Sequence, residues 1–248
     1  MNQSKEPVSW TKGGFPTWAK MVLGIALVLL LMLVLFRIRT FEVTGNVRYT
    51  AQEIATASGL AEGDILMGVN KTSTASKLIT GLPYVEEVVI SKALPGTIRL
   101  EVKECTAAYA AVSEFQTTWL LSKEGKLLEE VDDATGFPMI TGTELQLPTG
   151  GDMAVFTDPV KGQMAIKLLE AVEQTELGSQ ITVVNVTDVD GVSVSYQERL
   201  SLNLGDGSDA VYKLQYFKAI LSQLPADARG IVDLSFSQGE QAIYHPIV

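Results

Sequence analysis

Between Met21 and Phe36 the chain reads MVLGIALVLLLMLVLF, sixteen residues without one charged or polar side chain. Adding Trp18 and Ala19, with Lys20 able to snorkel, brings the stretch to about 19 residues, which at ~1.5 Å per residue matches the hydrocarbon thickness of a bilayer. Each Leu, Ile, Val or Phe favours insertion by about 0.3–0.6 kcal/mol near a helix centre, so the run sums to several kcal/mol. That outweighs flanking charges able to reach water. A helix with no polar face is not an ordinary core helix, and this run is longer than the apolar part of a cleaved signal peptide. The next residues, RIRTFEV, offer no small-x-small cleavage site. The expectation is an uncleaved anchor, with Trp18 at the interface and a disordered tail before it. Lys12 and Lys20 flank one side, Arg37 and Arg39 the other. Charge therefore leaves the orientation open.

Beyond the anchor the chain is acidic. The net charge is -10 over 248 residues, yet residues 1–39 carry five basic side chains and one acid, leaving 14 basic against 28 acidic ones in residues 40–248. Such a surface repels phosphate backbones and anionic lipid headgroups, which argues against nucleic acid as a partner. An apolar fraction of 46% allows a real core. Cys105 is the one cysteine. It excludes an intrachain disulfide and a multi-cysteine zinc site, and it reads as a strand-end residue without a chemical role.

The part after the anchor begins as a strand, Thr40–Thr44, with Phe41 and Val43 on one face. Gly45-Asn46 suits a turn. Thr50 and Glu53 match a capping box for a short helix through Ile54 and Ala55 that Gly59 can stop. A second helix is predicted over 72–80, with Leu78 and Ile79 inward and Gly81 and Pro83 ending it. Two strands come next, at Val85–Lys92 and in TIRLEVKE, joined by Leu94-Pro95-Gly96-Thr97; Ile98, Leu100 and Val102 share one face of the second. The order is strand, helix, helix, strand, strand.

Further on, TTWLLSKEGKLLEEV reads as a hairpin turning at Lys123-Glu124-Gly125, and GFPMITG as a proline-bearing loop. Asp158-Pro159 opens a helix with Val160, Met164, Leu168 and Val172 in a stripe. ITVVNV, GVSVSYQ and RLSLNLG read as three antiparallel strands, the first two joined tightly at Asp190-Gly191. Ser208 or Asp209 caps a helix carrying Val211, Leu214, Phe217, Leu221 and Leu224, with Pro225 just after it. GIVDLSF and QAIYHPIV close the chain as strand-like pieces.

Constellations that carry chemistry are missing from this pattern. His245 is the one histidine and lies three residues from the C-terminus, a poor place for the buried partner that a Ser-His-Asp triad needs. From Asp188 onward an EF-hand would require glycine where Ser193 stands and glutamate where Arg199 stands. Glu86-Glu87 and Glu129-Glu130 are neighbours in strands and so point to opposite faces. Gly205-Asp206-Gly207 precedes a helix without a P-loop lysine or dinucleotide spacing. The expectation is a binding protein, not an enzyme, with no cofactor and no metal site.

A lone anchor continued directly by FEVTGNVRYTAQEI and GLPYVEEVVISKALPGTIRLEVKE resembles a POTRA domain. With WLLSKEGKLLEE, FPMITG, LNLG and GIVDLSF after it, the chain resembles the FtsQ/DivIB family of bacterial cell-division proteins from about Trp18 to Tyr244. The resemblance implies an α+β fold: a cytoplasmic tail (1–17), a single transmembrane helix (18–38), a POTRA domain (39–105) and a mixed β-rich domain with two packed helices (106–248). It implies a cytoplasmic N-terminus and an extracytoplasmic bulk concentrated at the division septum. It further implies a divisome scaffold that pairs with DivIC/FtsB-like and FtsL-like proteins and, through them, helps control the septal peptidoglycan synthase. In that family the partner adds as a strand to an edge near the C-terminus, a contact that uses unpaired backbone groups and flanking aromatics. The matching positions here are Leu234, Ser235, Phe236, Gln238, Ala242 and Tyr244. Ser235 departs from the family, where arginine often comes after the Asp-Leu pair. Phe236 and Tyr244 could equally cover the sheet face. A membrane-anchored POTRA chaperone for exported polypeptides is the alternative reading, though it would normally carry several POTRA repeats; a wall-active enzyme is a third, without an acid pair to support it.

Overall fold

A computed structural model describes residues 17–235 and 241–247; the expected disordered tail, Phe236 and Gln238 lie outside them. The first element, α1 (Thr17–Leu35), is apolar throughout and buries none of its residues against the rest of the chain. It is long and apolar enough to cross a membrane. No linker separates it from the first domain. The backbone of Phe36 to Arg39 is hydrogen-bonded straight into that domain: Leu66 N to Phe36 O at 2.9 Å, Ile38 N to Asp64 O and Gly63 N to Ile38 O at 2.8 Å, and Arg39 N to Gly96 O at 2.8 Å. Ile38 is buried.

The first domain has the predicted order. β1 (Thr40–Thr44) leads through Gly45, whose positive φ of 81° and close approach to the Val102 carbonyl both exclude a side chain. α2 (Ala51–Ala57) starts at the expected capping box, with Glu53 N donating to Thr50 Oγ1 at 3.2 Å and Thr50 N to Glu53 Oε2 at 2.8 Å. α3 (Lys71–Gly81) is capped by Asn70, whose side-chain oxygen accepts from Ser73 N. β2 (Val85–Ala93) and β3 (Thr97–Glu104) pair antiparallel, and β1 pairs parallel with β3, giving the order β1-β3-β2. Ile54, Leu66, Leu78, Ile98 and Leu100 are fully buried between sheet and helices. Each contributes about 1.5–3 kcal/mol from apolar burial.

The second domain is built on one sheet of β4 (Ala107–Ser113), β5 (Thr118–Ser122), β6 (Leu127–Val131), β7 (Met139–Leu145), β8 (Ile181–Asn185), β9 (Val192–Tyr196), β10 (Leu200–Gly205), β11 (Gly230–Asp233) and β12 (Ile243–Pro246). Their spatial order is β12-β11-β10-β9-β8-β7-β4-β5-β6. Two helices make parallel crossovers: α4 (Pro159–Gln174) between β7 and β8, and α5 (Ala210–Leu221) between β10 and β11. Both lie on one face. Leu168, Leu169, Val172, Leu214 and Phe217 pack there against Val184, Val194, Leu202 and Val232. Phe217 meets Tyr196 edge to face, with centroids 5.2 Å apart.

Four local expectations need correction, and one strand has no counterpart in the sequence reading. Ala107–Ser113 is a strand although alanine is a poor strand former, because pairing with β5 and β7 on either side fixes its backbone. GFPMITG is a loop only as far as Pro138, and from Met139 it enters the sheet as β7. The link from β8 to β9 is wider than a tight hairpin at Asp190-Gly191: Asn185 pairs with Ser193, and a turn from Asp188 to Gly191 lies inside the loop. Val160 is 63% exposed, whereas Ala165 and Leu169 join Leu168 and Val172 inside. Asp209 is the residue before α5, but its φ of 52° is left-handed and its side chain makes no capping hydrogen bond.

The other sheet face is shared. At the β4–β6 end the first domain covers it, with Tyr84 packed on Ala110, Leu120 and Leu128. Lys126 is buried there and donates to the carbonyls of Ile79 (2.9 Å) and Val85 (2.6 Å), tying the two domains through main chain. Arg48 stacks on the Tyr84 ring at 3.8 Å and grips both oxygens of Glu129 at 3.0 Å. Glu104 accepts from the backbone of Val47, Arg48 and Tyr49, fixing the loop that presents Arg48. At the β9–β11 end the same face carries Ser193, Ser195, Ser201 and Asn203, and no helix packs on it among the described residues.

Candidate partner-binding edge

A sheet ends wherever its last strand finds no neighbour. Among the described residues β12 is such a strand, at the border of the second domain's sheet. Its inner side pairs antiparallel with β11, Gly230 opposite Pro246, Ile231 opposite His245, Val232 opposite Tyr244 and Asp233 opposite Ile243. Its outer row of backbone groups, to which Pro246 brings a carbonyl but no N–H, is unpaired by any strand among the described residues. Open edges of this kind accept a further strand.

Several features hold β12 in place. Gly230 has a φ of 153°, and a Cβ on it would run into the His245 carbonyl, so β11 and β12 approach as only glycine permits. The Tyr244 hydroxyl donates to Arg229 O at 2.9 Å, and Ile247 N donates to the same carbonyl at 3.0 Å. At the other end Asp233 accepts from Ser235 N at 2.9 Å and from Asn203 Nδ2 at 3.3 Å. The Ser235 hydrogen bonds hold the Asp233 carboxyl below the usual carboxylate range.

Strand alternation sorts the positions expected from sequence. Leu234 is fully buried, with its N–H donating to Asn203 O, so it anchors the end of β11. Ser235 sits over Gly205, whose Cβ would lie 3.2 Å from that of Ser235. Ala242 and Tyr244 pack against the domain core. Phe236 and Gln238 lie outside the described residues. The outward side chains are instead Ile243 (56% exposed) and His245, beside Ile231 (42% exposed) on β11. They were not singled out from sequence as contact positions. The period of two, read outward from Tyr244, gives Ile243 and His245 directly. His245 is an exposed strand residue, as expected. Among the described residues no group of three metal-ligating side chains occurs.

The same division into two parts emerges from similarity to known proteins. The family profile for the FtsQ-type POTRA domain matches residues 36–104, and that for the C-terminal part of cell division protein FtsQ/DivIB matches residues 110–235. The second match ends just before β12. Among relatives, cell division protein DivIB of Listeria monocytogenes is 22% identical over 232 residues, 90% of this chain and 79% of the relative. DivIB of Clostridium acetobutylicum is 26% identical over 213 residues, 86% and 84% of the two chains. Cell division protein FtsQ of Corynebacterium glutamicum is 26% identical over 174 residues, 67% and 73%.

Proposed function

Since the chain belongs to the FtsQ/DivIB family of cell-division proteins, we propose that it is a non-enzymatic scaffold of the division machinery whose β12 edge takes up a strand from a DivIC/FtsB-like partner. The observation that carries this reading is the outer side of β12 at the end of the sheet, which no strand among the described residues pairs. Main-chain pairing supplies affinity, and Ile243, His245 and Ile231 supply a partly apolar margin against which partner side chains pack. Phe236 and Gln238, in the connection between β11 and β12, and Tyr244 complete the proposed contact set. An FtsL-like protein joins through the first partner, and the assembly regulates septal peptidoglycan synthesis. The N-terminus lies in the cytoplasm, α1 spans the membrane once, and both domains stand outside it at the septum.

Capture of a soluble DivIC-like partner by the full-length protein tests this reading. Ile243→Lys, Phe236→Ala and Tyr244→Ala each lower capture if β12 is the contact. Undiminished capture by all three removes the site, and no capture by the unmodified protein removes the partner class.

A further inference from the structure

The way the first domain leaves the anchor brings one of its surfaces to the lipid. Phe36 and Arg37 extend at most ~7 Å beyond the end of α1. Two segments are bound to that short stretch. One runs from Gly63 to Met67, joined by hydrogen bonds from Ile38 and to Phe36 and by a bridge between Arg37 and Ile65. The other is the β2–β3 turn, whose Gly96 carbonyl accepts from Arg39 N, and whose closeness to the Arg37 carbonyl leaves no room for a Cβ. Both segments therefore lie at headgroup depth if α1 fills the hydrocarbon layer.

Their composition fits that place. Leu94, Met67 and Ile65 are 65%, 66% and 45% exposed, three large apolar side chains grouped around the helix exit. Basic residues accompany them: Arg37, Arg39 and Lys71 are exposed, and Lys92 ties β2 to the Met67 and Val69 carbonyls. The acids nearby are Glu62 and Asp64, the latter accepting from Ala61 N. This margin is basic, whereas residues 40–248 as a whole carry 28 acids against 14 bases.

We infer that this face of the first domain rests on the bilayer, with Ile65, Met67 and Leu94 in the interface and the basic residues on anionic headgroups. The inference rests on the reading that α1 spans the membrane. The contact fixes the tilt of the domain, and through the buried Lys126 junction it sets the direction in which the β12 edge is presented.

The test uses the full-length chain in nanodiscs of phosphatidylglycerol or phosphatidylcholine. An environment-sensitive fluorophore is attached, in a Cys105→Ser background, through Met67→Cys, Leu94→Cys, Val47→Cys or Gly24→Cys in turn. Val47 is 91% exposed and distant from the anchor; a Cβ at Gly24 meets nothing within 4 Å. Spin-labelled lipid is expected to quench positions 67 and 94 roughly twofold more than position 47, as suits side chains ~5–10 Å into the headgroup boundary. The excess should be larger in phosphatidylglycerol. Equal quenching at 67, 94 and 47, with position 24 strongly quenched, overturns the inference; failure to quench position 24 instead overturns the anchor on which it rests. Equal excess in both lipids overturns the headgroup contact. Amide exchange of residues 63–67, 93, 94 and 96 in the unsubstituted chain, expected to be slower in nanodiscs than in detergent, provides a readout free of labels, and an equal rate in both counts against the inference.

Discussion

Tyr84, the second residue after Leu82 ends the helix, donates its hydroxyl to Glu129 of β6 at 2.6 Å, joining the two domains side chain to side chain. Burial, and then this hydrogen bond, raise the Tyr84 pKa well above the ordinary value of 10.0. The folded protein thus holds the phenol proton more tightly than the unfolded chain does. Its contribution to stability is complete below about pH 10 and is lost as pH climbs toward the raised value. Tyr84→Phe should cost about 1–2 kcal/mol at neutral pH, the range for a hydrogen bond to a charged group that is partly solvated. The gap between wild type and variant in denaturant unfolding should narrow above pH 10. A gap that is constant with pH would mean that the hydroxyl does not hold its proton through Glu129.

Lys126 supports the same junction in a different way. Its ammonium group is buried and serves two main-chain carbonyls of the first domain, and burial holds its pKa below the usual lysine range. Lys126→Met keeps the aliphatic stem but leaves both carbonyls without a donor. The expected loss is about 1–3 kcal/mol, the cost of unsatisfied buried acceptors. Limited proteolysis should then cut between the domains, near 105–107, faster than within either one.

Gly230 controls the proposed edge. With Gly230→Val the new side chain collides with the His245 carbonyl, and β12 must leave β11. Partner capture should fall at least about tenfold, the loss of ~1.4 kcal/mol or more. The packing of α4 and α5 on the sheet, monitored through Trp119 emission or near-ultraviolet dichroism, should persist. Loss of both signals together would show that β12 is needed for the domain to fold, not for the partner alone.

The anchor and the first domain were legible in the sequence because their signals are local. A polar-free run, a capping box at Thr50 and Glu53, and the alternation of Ile98, Leu100 and Val102 each depend on residues a few positions apart. The second domain was legible in its strands but not in their neighbours. Nothing local announces that Ala107–Ser113 lies between β5 and β7, or that Met139 enters the sheet directly after Pro138, because the long-range partners decide both. The candidate edge was reached by resemblance, so aromatic positions drew attention. The register of β12 against β11 turns Tyr244 toward the core and leaves Ile243 and His245 outward. The junction escaped notice for a related reason. Arg48, Tyr84, Lys126 and Glu129 are scattered along the chain, and Glu129 looked like half of an adjacent carboxylate pair.

The central claim is that another chain pairs with the outer side of β12. Amide hydrogen exchange of residues 243–245 in the full-length protein, with and without a DivIC-like partner, tests it most directly, Pro246 having no amide hydrogen. Complex formation should slow exchange there, together with a partner segment of similar length that becomes protected in register. A complex that forms while 243–245 exchange at an unchanged rate, with protection located elsewhere, would contradict the account.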